Sequence, residues 1–117
     1  MKPAAIKSMI SMDELERIDV RVGTILAVED IPGSRKLMKL SVDFGDRERS
    51  IVAGIKQERD SPQEIVGQQA LFVVNLEAQT LAGVLSEGML FDVGYADGLI
   101  PVLAMPEVPM PNGARAG

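Results

Sequence analysis

Hydrophobic and polar residues alternate along several short stretches of the chain, which is typical of strands that bury one face. The clearest stretch spans 36–44, where Met38, Leu40 and Val42 share one face and mostly polar or charged residues occupy the other. Shorter apolar runs, separated by turns rich in Gly, Pro and Asp, predict further strands at 49–55, 70–76, 87–93 and 99–103.

The first predicted strand, 19–29, has a less regular pattern. It begins with Val20 and Val22 on one face, but Gly23 interrupts the alternation and the apolar phase is lost beyond it. A glycine inside a strand is typical of a bulge or of a tight bend in a barrel. We therefore expect a strand that changes which face it buries.

Two helices are predicted from their start signals. Ser11 and Glu14 have the spacing of a capping box, which predicts a short helix over about 12–17. Pro62 follows a serine at a second helix start, and Gly67 is suited to end that helix. From Met105 onward the chain is rich in proline, so it is predicted to be a loop or an extended edge segment.

The order of these elements is that of an all-β fold, a five-stranded OB-fold barrel. It has a short N-terminal helix, a small helix between strands 3 and 4, and flanking C-terminal strands. Residues 1–10 are predicted to be a flexible leader, and 11–117 a single domain, as a length of 117 residues suits. A core of this size often gains stability from pairing with a second copy.

Composition narrows the function classes. The chain has no Cys and no His, which removes thiolate nucleophiles, disulfides, the commonest zinc ligands and the usual general base near neutral pH. The carboxylates are scattered, and no Gly-rich phosphate loop follows a strand. We therefore expect a protein that is not an enzyme and has no catalytic residues, no metal site and no cofactor.

The charge is divided unevenly along the chain. Eleven of the twelve basic residues lie in positions 1–60, together with eleven of the seventeen acidic residues, so this half is neutral and the second half carries the net charge of −5. Any basic surface must therefore come from the first half. The N-terminus lacks an apolar signal core and no run approaches a membrane span, so we expect a cytoplasmic protein without a membrane partner.

Six ordered motifs resemble one known family. In chain order they are DVRVG (19–23), GSRKLMKLSVD (33–43), IVAGI (51–55), VGQQA with VNL (66–76), SEGM (86–89) and PNG (111–113). Together they resemble the tRNA-binding domain at the C-terminus of methionyl-tRNA synthetases and its small free-standing relatives, including the CsaA-type secretion chaperones. The resemblance extends over about 13–115, nearly the whole chain.

The resemblance implies a non-catalytic, RNA-binding OB barrel. It also implies a homodimer formed through segments that flank the barrel, including the N-terminal helix and the C-terminal strands. The expected partner is tRNA and not DNA, bound at its elbow or acceptor region without strong sequence readout. An aminoacyl-tRNA synthetase is a further possible partner. In this fold a groove lets cationic side chains follow a phosphate backbone.

The motifs place the candidate RNA-binding residues. Lys36 and Lys39 are expected to contact phosphates, although their sequence parity places them on opposite faces unless a bulge intervenes. Arg35 adds local charge. Arg21 either lines the RNA-binding face or pairs with an acid such as Asp43.

Three further candidates have structural alternatives. Ser86 is a candidate donor to a phosphate or base, or else a turn hydroxyl. Met89 either packs against a base or belongs to the core, and the core is favoured. Asn75 either binds RNA or satisfies backbone groups at the end of a buried strand.

One stretch departs from the family pattern. Residues 75–86, usually rich in Lys or Arg, hold no basic residue and one acid, Glu77. Each missing phosphate contact weakens RNA binding. Leu81, Val84 and Leu85 make this stretch apolar and are candidates for peptide binding. The alternative function is therefore a CsaA-like chaperone that binds unfolded or export-bound clients.

Overall fold

Three consecutive antiparallel strands form the first part of the fold in the computed structural model, which describes residues 1–117. They are β1 (Val20–Asp30), β2 (Met38–Asp43) and β3 (Glu48–Ala53). The predicted face of β2 is confirmed, because its alternate residues Met38, Leu40 and Val42 are all buried.

The remaining strands curl the sheet into a barrel. After β4 (Gln69–Val73) come a hairpin of β5 (Gln79–Leu81) and β6 (Val84–Ser86), and then β7 (Met89–Leu90). The sheet order is β3-β2-β1-β4-β7, and the chain just after β6 returns to β3, where Glu87 N–H donates to the Ser50 carbonyl at 2.8 Å. The predicted OB-type barrel is confirmed.

Gly23 is where the barrel wall comes closest to its own core. A Cβ at this position would lie 2.5 Å from Val42 Cγ1 and 2.8 Å from Phe44 Cε1, so only glycine leaves room for these side chains. The register shift of β1 is at Leu26, between Ile25 and Ala27, and not at the glycine. The predicted change of buried face is therefore correct, but the bulge lies three residues further along.

The core is built from the inward faces of all the main strands and closed by the small helix. The six largest fully buried side chains are those of Ile25, Leu40, Val42, Ile51, Ile65 and Phe72. Phe72 meets Phe44 edge to face, with ring centroids 5.3 Å apart. Ile65 belongs to a 3₁₀ helix, Pro62–Ile65, that lies between β3 and β4 as predicted.

The N-terminal helix α1 is Met12–Leu15, shorter than predicted. Its capping box is confirmed, because the Ser11 hydroxyl accepts from Glu14 N–H at 3.1 Å and the Glu14 carboxylate accepts from Ser11 N–H at 3.2 Å. Residues 1–11 have no secondary structure and are exposed. No helix in the structure is both long and apolar enough to cross a membrane.

The C-terminal part is more divided than predicted. The predicted strand over 87–93 is split into β7 and β8 (Asp92–Val93), and β8 pairs with β9 (Val102–Leu103) instead of with the barrel. The segment from Met105 was expected to be a loop or an extended edge segment; it is a loop with a bend at 107–108 and a turn at 112–113, and it ends in β10 (Arg115–Ala116), which pairs with the start of β1.

Candidate nucleic-acid interface

Three basic side chains in and before β2 have no partner within the protein. Arg35 and Lys36 are exposed on the loop 31–37, and Lys39 is half-buried on β2. None of the three forms an ion pair or a side-chain hydrogen bond, whereas Arg21, Arg47, Lys56, Arg59 and Arg115 all pair with carboxylates. The cations at 35, 36 and 39 are therefore available to an external anion.

Lys39 points out of the barrel, because its neighbours Met38 and Leu40 point in. Its cross-strand neighbours are Glu29 on β1 and Val52 on β3. Lys36 precedes β2 and lies in the loop, so strand alternation does not fix its direction. The expected conflict of parity between the two lysines therefore does not arise.

Two adjoining hollows lie in the outer surface beside these cations, and Met89 lines both of them. The first, which we call the loop hollow, is lined by Lys36, Gly54 and Tyr95 among others. The second, the hairpin hollow, extends from Val52 to the β5–β6 hairpin. Met89 is 43% exposed, so it belongs to this surface and not to the core that the sequence favoured.

The loop hollow also contains acidic groups. Burial raises the pKa of the Glu58 carboxyl, and the nearby Asp92 raises it further, while Arg59 opposes them. Both carboxylates line the hollow together with Lys36. The hollow therefore combines one free cation with two acids, and its potential is mixed.

The β5–β6 hairpin forms the wall of the hairpin hollow. It turns through Ala82 and Gly83, which have φ of 49° and 79°, as a two-residue hairpin turn requires. Leu81 and Val84 are half-buried and Leu85 is 50% exposed. This wall is neutral to acidic, as the sequence indicated, and the hairpin itself was not predicted.

Two of the candidate RNA-binding residues have their polar atoms bonded inside the protein. Ser86 is buried, and its hydroxyl accepts from Val52 N–H at 3.0 Å and donates to the Gly88 carbonyl at 3.2 Å. The Asn75 side chain accepts from Asp19 N–H at 2.8 Å and donates to the Arg17 carbonyl at 2.6 Å. Both hold segments together at the edge of the hairpin hollow.

Replacing Ser86 by alanine is expected to lower the free energy of unfolding by about 1–3 kcal/mol, because the buried Val52 N–H would lose its acceptor. Urea denaturation of both proteins measures the change. Ser41→Ala is the control, since this half-buried serine of β2 makes no side-chain hydrogen bond. Equal losses in the two variants would show that the Ser86 bond contributes little to barrel closure.

Arg21 lies away from the two hollows, at the end of the barrel where β10 meets β1. Its guanidinium donates to both carboxylate oxygens of Asp19, at 2.8 and 3.1 Å, and to the Gly113 carbonyl at 3.2 Å. Arg115 also pairs with Asp19, at 3.1 Å. Arg21, followed by Arg115, lowers the pKa of Asp19, and Asp19 in turn raises the pKa of Arg21.

The structure therefore corrects the proposed partner of Arg21, which is Asp19 and not Asp43. Asp43 accepts from Gly45 N–H at 2.8 Å, in the turn after β2. Arg21 lies near the end of β2 that Asp43 forms, whereas Lys36 precedes Met38 at the opposite end. The length of β2 therefore separates Arg21 from Lys36 by roughly 20 Å, at the usual rise per residue of a strand. The candidate cations thus form one group at 35, 36 and 39, with Arg21 apart.

Arg49, near the start of β3, has a structural role that depends on residues far away in the sequence. Its guanidinium donates to the Val74 carbonyl at 2.8 Å and lies 5.6 Å from the centre of the Phe44 ring. It thereby joins β3 to the end of β4. Arg47, which lies in the turn between β2 and β3, pairs with Glu87 at 3.4 Å on the surface.

Comparison with known proteins identifies relatives that match this chain over the residues that form the barrel. Residues 20–115 match the family model described as "Putative tRNA binding domain". Methionine–tRNA ligase of Methanocaldococcus jannaschii is 44% identical over 96 residues, which are 82% of this chain and 15% of the ligase. The chain therefore spans only about a seventh of the length of this curated relative.

Two solved structures share the fold over almost the whole chain. The MetRS-related protein from Pyrococcus horikoshii superposes with a TM-score of 0.87 at 37% identity and covers 95% of this chain and 100% of its own. The chaperone CsaA from Bacillus anthracis superposes with a TM-score of 0.82 at 29% identity and covers 94% of this chain and 100% of its own.

Proposed function

The chain belongs to the tRNA-binding domain family, and from that membership we propose that it binds tRNA in the cytoplasm as a non-catalytic homodimer or synthetase-associated module. The observation that carries the proposal is the group of unpaired cations at Arg35, Lys36 and Lys39 beside the two hollows. Cations already paired with carboxylates contribute little to phosphate binding, so these three are the residues best placed to supply it.

Binding of this kind reads structure and not sequence. Lys side chains meet phosphates, which carry no sequence information. Tyr95, 66% exposed, is the one tyrosine of the chain, and Phe91 is half-buried. Because the surface offers so few aromatic rings on which bases could stack, we expect little recognition of individual bases. We therefore propose that Lys36 and Lys39 follow the backbone of a folded RNA, with Arg35 adding charge.

The remaining candidates have supporting parts in this proposal. Met89 offers an exposed apolar surface where the two hollows meet. Asn75 and Ser86 keep the wall of the hairpin hollow in place through their internal hydrogen bonds. Arg21 is proposed to hold the end of the barrel with Asp19, and to contribute to RNA binding less than the lysines do.

Replacing Lys36 and Lys39 together by glutamine is expected to weaken tRNA binding by about ten- to a hundredfold at low salt. The slope of log K against log salt should become shallower by about 0.9 for each phosphate that the variant no longer neutralises. Filter binding of bulk tRNA across salt concentrations measures both quantities. The control is Lys2→Gln/Lys7→Gln, which removes the same charge from the exposed N-terminal segment. An unchanged slope in the Lys36/Lys39 variant would contradict the proposed interface.

The homodimer is supported by an uncovered apolar surface next to α1. A hollow there is lined by Ile10, Ile18, Leu76, Met89 and Phe91, with Val73 beneath them. Ile10 and Ile18 are 59% and 49% exposed, and Leu76 is 50% exposed. Exposed apolar groups that cluster at one place are typical of a protein–protein interface. A second copy would cover this surface and enlarge a small core.

Replacing Ile10 by glutamate is expected to weaken dimerisation by about ten- to a hundredfold, because a charge at the apolar contact must lose water. Sedimentation equilibrium over a range of protein concentrations measures the dissociation constant. Ile6→Glu is the control, since Ile6 is 87% exposed and does not line this hollow. A wild-type chain that stays monomeric at high concentration would contradict the homodimer.

A second candidate function, chaperone-like binding of unfolded or export-bound chains, is favoured by the β5–β6 hairpin. Its wall is apolar and unbasic, at Leu81, Val84 and Leu85, and the chain superposes on the CsaA chaperones of two organisms. Suppression of aggregation of a denatured model client tests this candidate. Loss of the suppression in Leu85→Glu would support the hairpin as the client site, whereas an inert wild-type chain would reject the candidate.

A further inference from the structure

We propose that Lys56 is a positioning residue for RNA binding. It holds the loop 31–37 in one conformation, so that Arg35 and Lys36 meet phosphates as a pair that is already ordered. The inference rests on the proposed tRNA binding and adds to it a residue that lies outside the surface cations. It explains why the Lys56 side chain is turned toward the protein while Arg35 and Lys36 on the loop face solvent.

The ammonium group of Lys56 is fully occupied by the start of the loop. Its Nζ donates to the Ser34 carbonyl at 2.6 Å and to the Ile31 carbonyl at 3.2 Å, and it pairs with the carboxylate of Asp30. An ammonium group has three donors, and here each has an acceptor. The side chain is only 23% exposed. The ammonium group of Lys56 therefore binds the loop and is not free to bind a phosphate.

The same residue also fastens the far end of the loop. The backbone N–H of Lys56 donates to the Lys36 carbonyl at 3.0 Å. Within the loop, Ser34 N–H donates to the Ile31 carbonyl at 3.1 Å, and Leu37 N–H donates to the Ser34 hydroxyl at 3.0 Å. Removing the Lys56 ammonium would leave the Ser34 and Ile31 carbonyls without this donor and would loosen the segment that precedes Arg35.

Ordering a loop at the moment of binding reduces affinity, whereas a loop that is already ordered does not have this cost. Arg35 and Lys36 belong to the few cations that no carboxylate holds, so their backbone is what fixes them in space. Losing the Lys56 ammonium should therefore weaken RNA binding without removing a phosphate ligand. This separates a positioning residue from a phosphate ligand in a way that can be measured.

The test is a double-mutant cycle of tRNA binding with Lys56→Met and the pair Arg35→Gln/Lys36→Gln. Lys56→Met alone is expected to weaken binding about tenfold with an unchanged salt slope. In the background without the two loop cations it should change affinity by less than about twofold, because nothing is left to position. Arg59→Gln, which removes a cation paired with Glu64 and has no hydrogen bond to the loop, is the charge-matched control.

A second measurement follows the loop itself. Amide hydrogen exchange of Ser34 and Leu37 should be faster in Lys56→Met and unchanged in Arg59→Gln. Asp30→Asn, which keeps both carbonyl contacts of Lys56, replaces Lys56→Met if that variant does not fold, and it should give a smaller change of the same kind. Equal losses of affinity in both backgrounds, or a shallower slope for Lys56→Met, would overturn the positioning role. Absence of binding by the wild-type chain would instead reject the proposed function.

Discussion

Replacing Phe72 by alanine is expected to lower the free energy of unfolding by about 3–5 kcal/mol, more than any other single substitution proposed for this chain. Phe72 is fully buried, and its ring meets Phe44 edge to face at 5.3 Å. Its removal would leave a cavity that the barrel cannot close by moving β4, because β4 is held by pairing with β1 on one side and β7 on the other. Domains of this size have about 5–15 kcal/mol of stability in total, so the variant should be close to unfolded.

Urea denaturation followed by circular dichroism measures the change. Leu71→Ala is the matched control, because Leu71 neighbours Phe72 on β4, points out of the barrel and is half-buried. It should cost clearly less than Phe72→Ala. If the two substitutions cost the same, the inner face of β4 does not form the centre of the core, and Phe72 does not point into it.

The barrel could be predicted from the sequence because hydrophobic and polar residues alternate along its strands, and this alternation identifies the face that points inward. Met38, Leu40 and Val42 show this directly, and the capping box at Ser11 is complete within four residues. The bulge at Leu26 was not predictable in the same way, since the pattern shows that the phase changes but not where. The visible break at Gly23 has a different cause, the close approach of Phe44 and Val42.

The site was predicted less well, because its side chains are fixed by partners far away in sequence. Ser86 bonds to Val52, and Arg49 to the carbonyl of Val74. Nothing near Ser86 or Arg49 in the chain indicates these partners. The motif that contains Lys36 and Lys39 did locate the free cations, since these side chains lie in the loop before β2 and on its outer face and depend on no distant contact. The sequence did not indicate Lys56, because its ammonium group contacts Ile31 and Ser34, which lie far earlier in the chain.

The hairpin hollow is where charge should have the strongest influence on RNA affinity. Its wall lacks cations, and Glu77 and Gln79 both line it and are exposed. A phosphate backbone that follows Lys39 across β3 would meet this wall next, because Val52 lies beside Lys39 and also lines the hollow. The wall therefore opposes the attraction of the three free cations, and its charge can be changed without disturbing any hydrogen bond.

Replacing Glu77 and Gln79 together by lysine is expected to strengthen tRNA binding by about ten- to a hundredfold at low salt. The slope of log K against log salt should steepen by about 0.9 for each additional phosphate that the variant neutralises. Filter binding across salt concentrations measures both changes. Glu107→Lys/Gln68→Lys makes the same change of net charge at exposed residues that line neither hollow, and it should change the slope little.

The comparison of the two variants separates local contact from overall charge. An equal gain in both would mean that the reduction of the net charge of −5 is sufficient, and the hairpin need not face the RNA. No gain in Glu77→Lys/Gln79→Lys, when the wild-type chain binds, would place the RNA elsewhere, with the loop hollow and Lys36 as the remaining surface. A gain confined to the hairpin variant, combined with a steeper slope, would show that RNA crosses β3 between Lys39 and the hairpin. The neutral to acidic wall would then be the feature that keeps the affinity of this chain low.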